Sequence, residues 1–152
     1  MDIDKLRNYF YNLLQKRDYS EFELADKASL KGYLKPDIQI VLKELKQRNF
    51  VNDQRLAENL ILAYQGKKGK MWIKQKMIQR RLPKNIVQDT FESEELPNLT
   101  PDKGVKEKLE RKYDIENWSD IDLQTKQKII RFLAGQGFAQ PFEILKQWQE
   151  NL

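Results

Sequence analysis

Apolar residues recur at i, i+3 and i+4 along most of this 152-residue chain, the spacing that lines one face of an α-helix. Ile3, Leu6, Phe10, Leu13 and Leu14 form one such stripe, and Leu56, Leu60, Ile61 and Tyr64 form another. Three more begin just after a proline: Ile38, Val41, Leu42 and Leu45 after Pro36; Ile86, Val87, Thr90 and Phe91 after Pro83; Ile144, Leu145 and Trp148 after Pro141. A first-turn proline loses nothing, because the N–H it lacks has no intrahelical partner there. The three prolines therefore mark equivalent helix starts. Two of the helices before them end at a glycine suited to a left-handed cap, Gly32 before Tyr33 and Gly137 before Phe138. In the middle copy Arg81, before Leu82, holds that place.

Capping signals sharpen the boundaries. Ser20-Glu21-Phe22-Glu23 has capping-box spacing, Thr100-Pro101 reads as an N-cap followed by a first-turn proline, and Ser119 is placed to cap a helix starting near Asp120. The pattern predicts an all-α fold of three tandem three-helix repeats: 1–51, 52–93 and 101–152, with 94–100 as an acidic, proline-bearing linker. Repeats of roughly 40 to 50 residues bury little surface alone, which implies stacking in an elongated or curved arrangement. Such a surface suits a long partner, a filament or a duplex. A single compact nine-helix domain would show the same rhythm.

Composition narrows the chemistry. At 39% hydrophobic and 34% charged, with six glycines and five prolines, the chain has enough apolar content for a core and the vocabulary of helices. It has no Cys, which removes disulfides, thiolate metal sites and Cys nucleophiles, and no His, the commonest general base. Neither GxxxxGK[ST] nor GxGxxG occurs; Gly66-Lys67-Lys68-Gly69 lacks the loop length and the hydroxyl, and reads as a turn between helices. Glu92-Ser93-Glu94-Glu95 reads as solvated linker. Met1 leads straight into charged residues, with no apolar stretch long enough for a signal peptide or a membrane span. The expectation is a cytoplasmic, non-enzymatic protein with no membrane association and no cofactor. No long heptad seam is present, so a monomer is expected.

The net charge of +5 is local. Residues 1–50 hold ten basic and eight acidic side chains, residues 51–100 nine and six, and residues 101–152 nine and nine. Lys67, Lys68, Lys70, Lys74, Lys76, Arg80, Arg81 and Lys84 fall in one stretch without a single acid. That density attracts phosphate by Coulomb steering and counterion release. The plainer reading is a solvated lysine-rich face, although such faces usually interleave Glu and Asp. A helix from Lys70 to Arg81 sets Lys70, Lys74 and Arg81 close in angle, with Lys76 and Arg80 on the other flank of Ile73 and Met77. Some of these stems can instead cover apolar surface. Neutralising about four phosphates of single-stranded DNA predicts a salt slope of roughly −3. Trp72, within the segment, either packs between repeats or stacks on a base, and Tyr64 has the same two readings. Arg55 and Asp53 cap and pair locally; Trp118 and Trp148 are assigned to the core.

Four blocks together resemble the RecX family, bacterial regulators of the RecA recombinase. They are Ser20 to Lys27 with Lys31-Gly32-Tyr33 and the helix Ile38 to Leu45; Phe50 to Glu58; Lys67-Lys68-Gly69-Lys70 leading to Ile73, Lys76 and Met77; and Lys128 to Phe138. Leu56 stands where the family usually has an aromatic, Met71-Trp72 where it has small residues or proline, and Gly135-Gln136 where it has a basic pair; the helix after Phe138 is shifted by about one residue. The resemblance implies a non-enzymatic protein that lodges in the groove of a RecA filament on single-stranded DNA. There it restrains strand exchange, ATP hydrolysis and co-protease activity, and some members also bind DNA directly. The alternative reading is a helix-turn-helix protein recognising duplex DNA, although the basic segment is mostly Lys, a phosphate-type contact. A carboxylate- or Lys-based enzyme is a third.

Overall fold

The computed structural model describes residues 3–150; Met1, Asp2, Asn151 and Leu152, the outer edges of the expected first and third repeats, lie outside the described residues. Among those described are nine α-helices, one short 3-10 turn and no strand. In chain order they are α1 Ile3–Lys16, α2 Glu21–Leu30, α3 Lys35–Gln47, α4 Asp53–Tyr64, α5 Lys70–Gln79, α6 Lys84–Glu92 and α7 Lys103–Lys112. The 3-10 turn Trp118–Asp120 follows, then α8 Leu123–Gly135 and α9 Pro141–Glu150. The fold is all-α and is built from three successive sets of three helices.

The feature that repeats most faithfully is the end of each set's second helix. Gly32 N–H donates to the Ser29 carbonyl (3.0 Å) and Tyr33 N–H to the Ala28 carbonyl (3.1 Å). Arg81 and Leu82 donate in the same way to Ile78 (3.0 Å) and Met77 (3.2 Å), and Gly137 and Phe138 to Ala134 (3.0 Å) and Leu133 (3.1 Å). This paired bonding is the Schellman motif, which satisfies carbonyls left over at a helix end and needs one left-handed residue. The φ angles are +94° at Gly32, +60° at Arg81 and +85° at Gly137. Arg81 thus accepts a conformation that costs a residue with a Cβ about 1–2 kcal/mol. Leu82 and Phe138, the residues after the cap, are buried.

Ser20 and Glu23 form the expected capping box: Ser20 Oγ accepts from Glu23 N–H (3.1 Å) and Glu23 Oε1 from Ser20 N–H (2.8 Å). Pro36 and Pro141 lie in first turns, whereas Pro83 is itself the N-cap of α6. Two capping expectations are corrected. Asp102, not Thr100, caps α7 by accepting from Val105 N–H (2.9 Å), since a carboxylate also answers the positive end of the helix dipole. Ser119 lies inside the 3-10 turn, and α8 starts later under Asp122, which accepts from Thr125 N–H (2.7 Å). Hydrogen bonds from the Thr125 hydroxyl and then from its backbone N–H hold the Asp122 carboxyl below its ordinary value.

The chain gathers into two compact units. The first takes the chain up to Leu60 together with Lys76–Glu94; the second takes Ile61–Gln75 together with the chain from Glu95 onward. In the first unit Leu6 and Phe10 of α1, Leu24 and Ala28 of α2, and Ile38, Val41, Leu42 and Leu45 of α3 share one core. Each such large side chain contributes about 1.5–3 kcal/mol by leaving water. In the second unit Leu109, Trp118, Ile129, Leu133, Phe138, Ile144 and Leu145 do the same. Trp118 is in the core as expected. Its Nε1 donates to Glu110 (2.8 Å), and its ring lies 4.9 Å from that of half-buried Trp148.

Candidate polyanion-binding segment

Five of the expected contact residues, Lys67, Lys68, Lys70, Trp72 and Lys74, belong to the second unit. Residues 66–69 form the turn between α4 and α5, closed by Lys67 and Lys68 N–H groups donating to the Tyr64 carbonyl (3.0 and 2.9 Å). From there the backbone meets the end of α8. Gly69 N–H donates to the Gln136 carbonyl (2.9 Å) and Met71 N–H to the Gly137 carbonyl (3.1 Å). Donors at the start of α5 are thus spent on the carbonyls that end α8, a head-to-tail meeting of helix ends, rather than left for an anion. Only glycine permits it. A Cβ on Gly69 would sit 2.2 Å from Gly137 backbone atoms, and one on Gly137 would sit 2.3 Å from Trp72 N.

Trp72 is half-buried over this junction, its ring 4.7 Å from that of Tyr64. Lys68 Nζ bonds Gln136 Oε1 and lies 5.0 Å from the Trp72 ring centroid, a cation–π contact. The Trp72 ring thus packs on Tyr64 and Lys68 of its own helical set, and Lys68 makes the bond to Gln136 of the third. Lys67, Lys70 and Lys74 are exposed, with Lys70 and Lys74 one turn apart on the same face of α5. The Lys67 and Lys74 side chains make no hydrogen bond or ion pair among the described residues.

Lys76, Arg80, Arg81 and Lys84 belong to the first unit. Lys76 is half-buried on α5, and Lys84 is exposed at the start of α6. Arg80 Nε and Nη2 donate to the Glu23 carboxylate (2.9 and 3.2 Å), and Nη2 also donates to the Asp18 carbonyl (2.7 Å). Only 13% of the Arg80 side chain and 15% of the Glu23 side chain remain exposed. This guanidinium fastens the capping box of α2. α5 ends at Gln79, so Arg81 leaves the helix and does not share the face of Lys70 and Lys74, contrary to a helix running through it. Its left-handed backbone sends the guanidinium over Phe22, 4.2 Å from the ring centroid.

Arg55 pairs locally, donating to the Asn49 and Phe50 carbonyls (2.8 and 3.3 Å) and lying 3.6 Å from the Asp18 carboxylate. Asp53 serves α2: its Oδ1 accepts from Glu21 N–H (2.9 Å). Burial raises its pKa above the ordinary carboxylate value. The dual role of Glu23 was not visible in the sequence beyond the capping box, because its guanidinium partner lies 57 positions away. Among the described residues no three His, Cys, Asp or Glu side chains group to hold a metal, and no helix is long and apolar enough to cross a membrane.

These features define an all-helical repeat protein with a cationic central segment, part of which is engaged internally. No family model matches the chain. It is similar to regulatory protein RecX of Pasteurella multocida, with 33% identity over 86% of this chain and 79% of that protein. It is also similar to regulatory protein RecX of Mannheimia succiniciproducens, with 32% identity over 86% of this chain and 84% of the relative. The crystal structure of RecX from Lactobacillus salivarius has the same fold, with a TM-score of 0.79 at 23% identity, covering 99% of this chain and 98% of the other. The chain belongs to the RecX family of regulatory proteins.

Proposed function

We propose that this protein binds the RecA filament on single-stranded DNA and restrains its recombinase, ATPase and co-protease activities, without catalysing a reaction of its own. Membership of the RecX family is the observation that carries this reading. In it, exposed Lys67, Lys70 and Lys74 supply an electrostatic contact to DNA phosphate or to acidic filament surface. Arg80 takes no part, because its guanidinium is engaged at Glu23; exposed Arg81, stacked on Phe22, keeps its N–H donors for an anion. In the same reading Trp72, packed against Tyr64 and Lys68, acts through that turn rather than by stacking on a base.

The test is ATP turnover by RecA on single-stranded DNA with this protein added below stoichiometry. The expected result is loss of turnover, reduced in the K67A/K70A/K74A variant. With three phosphates neutralised, binding to an oligo-dT strand should follow salt with a logarithmic slope of about −2. Undiminished turnover, together with sequence-selective binding to duplex DNA, would reject the filament reading.

A further inference from the structure

Helices α8 and α9 of the second unit flank a groove of about 780 Å³. Its lining is aliphatic where Ile130, Ala134 and Leu145 contribute, and Leu123 and Phe142 stand in it 69% and 70% exposed. Phe142, Leu145 and Gln149 follow one another at i, i+3 and i+7 on α9, and Leu123, Ile130 and Ala134 at i, i+7 and i+11 on α8. Two helices thus each line the groove with one face, and Leu123 and Phe142 on those faces are left uncovered. The charged lining residues are all basic: Lys126, Arg131 and Lys146, with no carboxylate among the lining. Residues 101–152 carry as many acids as bases, so this one-sided rim is a local arrangement. None of the three cationic side chains makes a hydrogen bond or an ion pair among the described residues.

We propose that the groove docks an acidic amphipathic helical segment of a partner protein. Apolar side chains at i, i+3 or i+4, and i+7 of that segment would lie along the aliphatic floor, with flanking carboxylates meeting Lys126, Arg131 and Lys146. This is the helix-in-groove mode of recognition, in which apolar anchors supply affinity and complementary charge sets partner and register. A single strand of nucleic acid fits the floor less well. Bases stack on aromatic faces, and the groove offers one, Phe142. The groove does not depend on the lysines at the start of α5, so its occupant can be tested separately from RecA inhibition.

The probe is a fluorescein-labelled helical peptide with Leu at i, i+3 and i+7 and Glu at most other positions, titrated with the full chain by fluorescence anisotropy. Saturable binding is expected. Leu123→Ser with Phe142→Ser should weaken it about tenfold or more, since truncating an apolar anchor removes the central contact. Both side chains are exposed, and an unchanged helical spectrum and melting midpoint verify that the fold persists. The charge-reversed K126E/R131E/K146E chain should lose the Glu peptide about tenfold and gain the matching Lys peptide, which also demonstrates an intact groove. Equal binding of Glu and Lys peptides, or full affinity after L123S/F142S, would overturn the proposal. So would an oligo-dT strand whose binding falls with L123S/F142S while the peptide fails to bind.

Discussion

Replacing Arg80 by Ala separates a structural guanidinium from a ligand-binding one. The substitution removes two charge-assisted bonds to Glu23 and one to the Asp18 carbonyl, and leaves a carboxylate whose side chain is only 15% exposed. Breaking a buried pair by deleting one partner costs about 3–5 kcal/mol. Here the residual exposure, and Arg17 at 4.0 Å from the same carboxylate, reduce that to about 2–4 kcal/mol. The loss is measured by urea unfolding of the full chain followed by circular dichroism. Glu23→Gln provides the control: an amide oxygen can still accept from Ser20 N–H at the capping box but carries no charge. A double-mutant cycle between R80A and E23Q should give a coupling of about 1–3 kcal/mol. At equal folded fraction, R80A should bind oligo-dT like the unaltered protein. An R80A chain within about 0.5 kcal/mol of the original stability, or strict additivity with E23Q, would refute the structural role.

Gly69→Ala forces a Cβ to 2.2 Å from the backbone of Gly137, where no side chain can yield, and should cost at least about 2 kcal/mol in thermal or urea unfolding. Gly135→Ala, helical and with nothing within 4 Å of the added methyl, should instead stabilise the chain by about 0.5–1 kcal/mol. Asp53 supplies a pH test. Burial raises its folded pKa, so the stability it contributes is fullest below its unfolded value and is lost as pH rises through the folded one. Asp53→Asn, which mimics the protonated acid, should therefore gain on the original protein as pH climbs from about 4 toward neutrality. Asp53→Ala loses the bond to Glu21 N–H and should be about 1–2 kcal/mol less stable at neutral pH.

Helices and their inner faces were legible because they depend on neighbours three and four positions apart. Ile38, Val41, Leu42 and Leu45 carry that periodicity, and all four are buried. Gly32 and Gly137 announced their caps for a related reason: few residues but glycine adopt the left-handed turn freely. Arg81 was legible only by its place in the repeat, since nothing in an arginine signals a positive φ. The competition at Thr100 and Ser119 went the other way. Each lies near an aspartate better placed to cap, and residue type alone does not decide which of two nearby acceptors the helix will use. The pairing of Gly69 with Gly137 joins segments 68 positions apart, beyond any local pattern.

The same limit governs how the basic segment can be understood. A stretch without acids cannot neutralise itself, so the acceptors that engage its cations come from elsewhere in the sequence, as the Glu23 carboxylate does for Arg80 and the neutral Gln136 amide for Lys68. Local charge density therefore counts cations before folding has claimed its share. The fold claims the side chains best able to do two things at once. A guanidinium satisfies a carboxylate in bidentate fashion and a carbonyl as well, which suits Arg80 to a partly buried joint, whereas a lysine ammonium is costlier to desolvate and easier to leave in water. Lys67 and Lys74 are exposed while Arg80 is not, in line with that difference, although half-buried Lys68 is recruited by Gln136 and Arg81 stays exposed. The expected salt slope follows from the residue types as much as from their number. A segment with arginines at positions 67, 70 and 74 would have more ways to be recruited into the fold, and fewer cations left for phosphate.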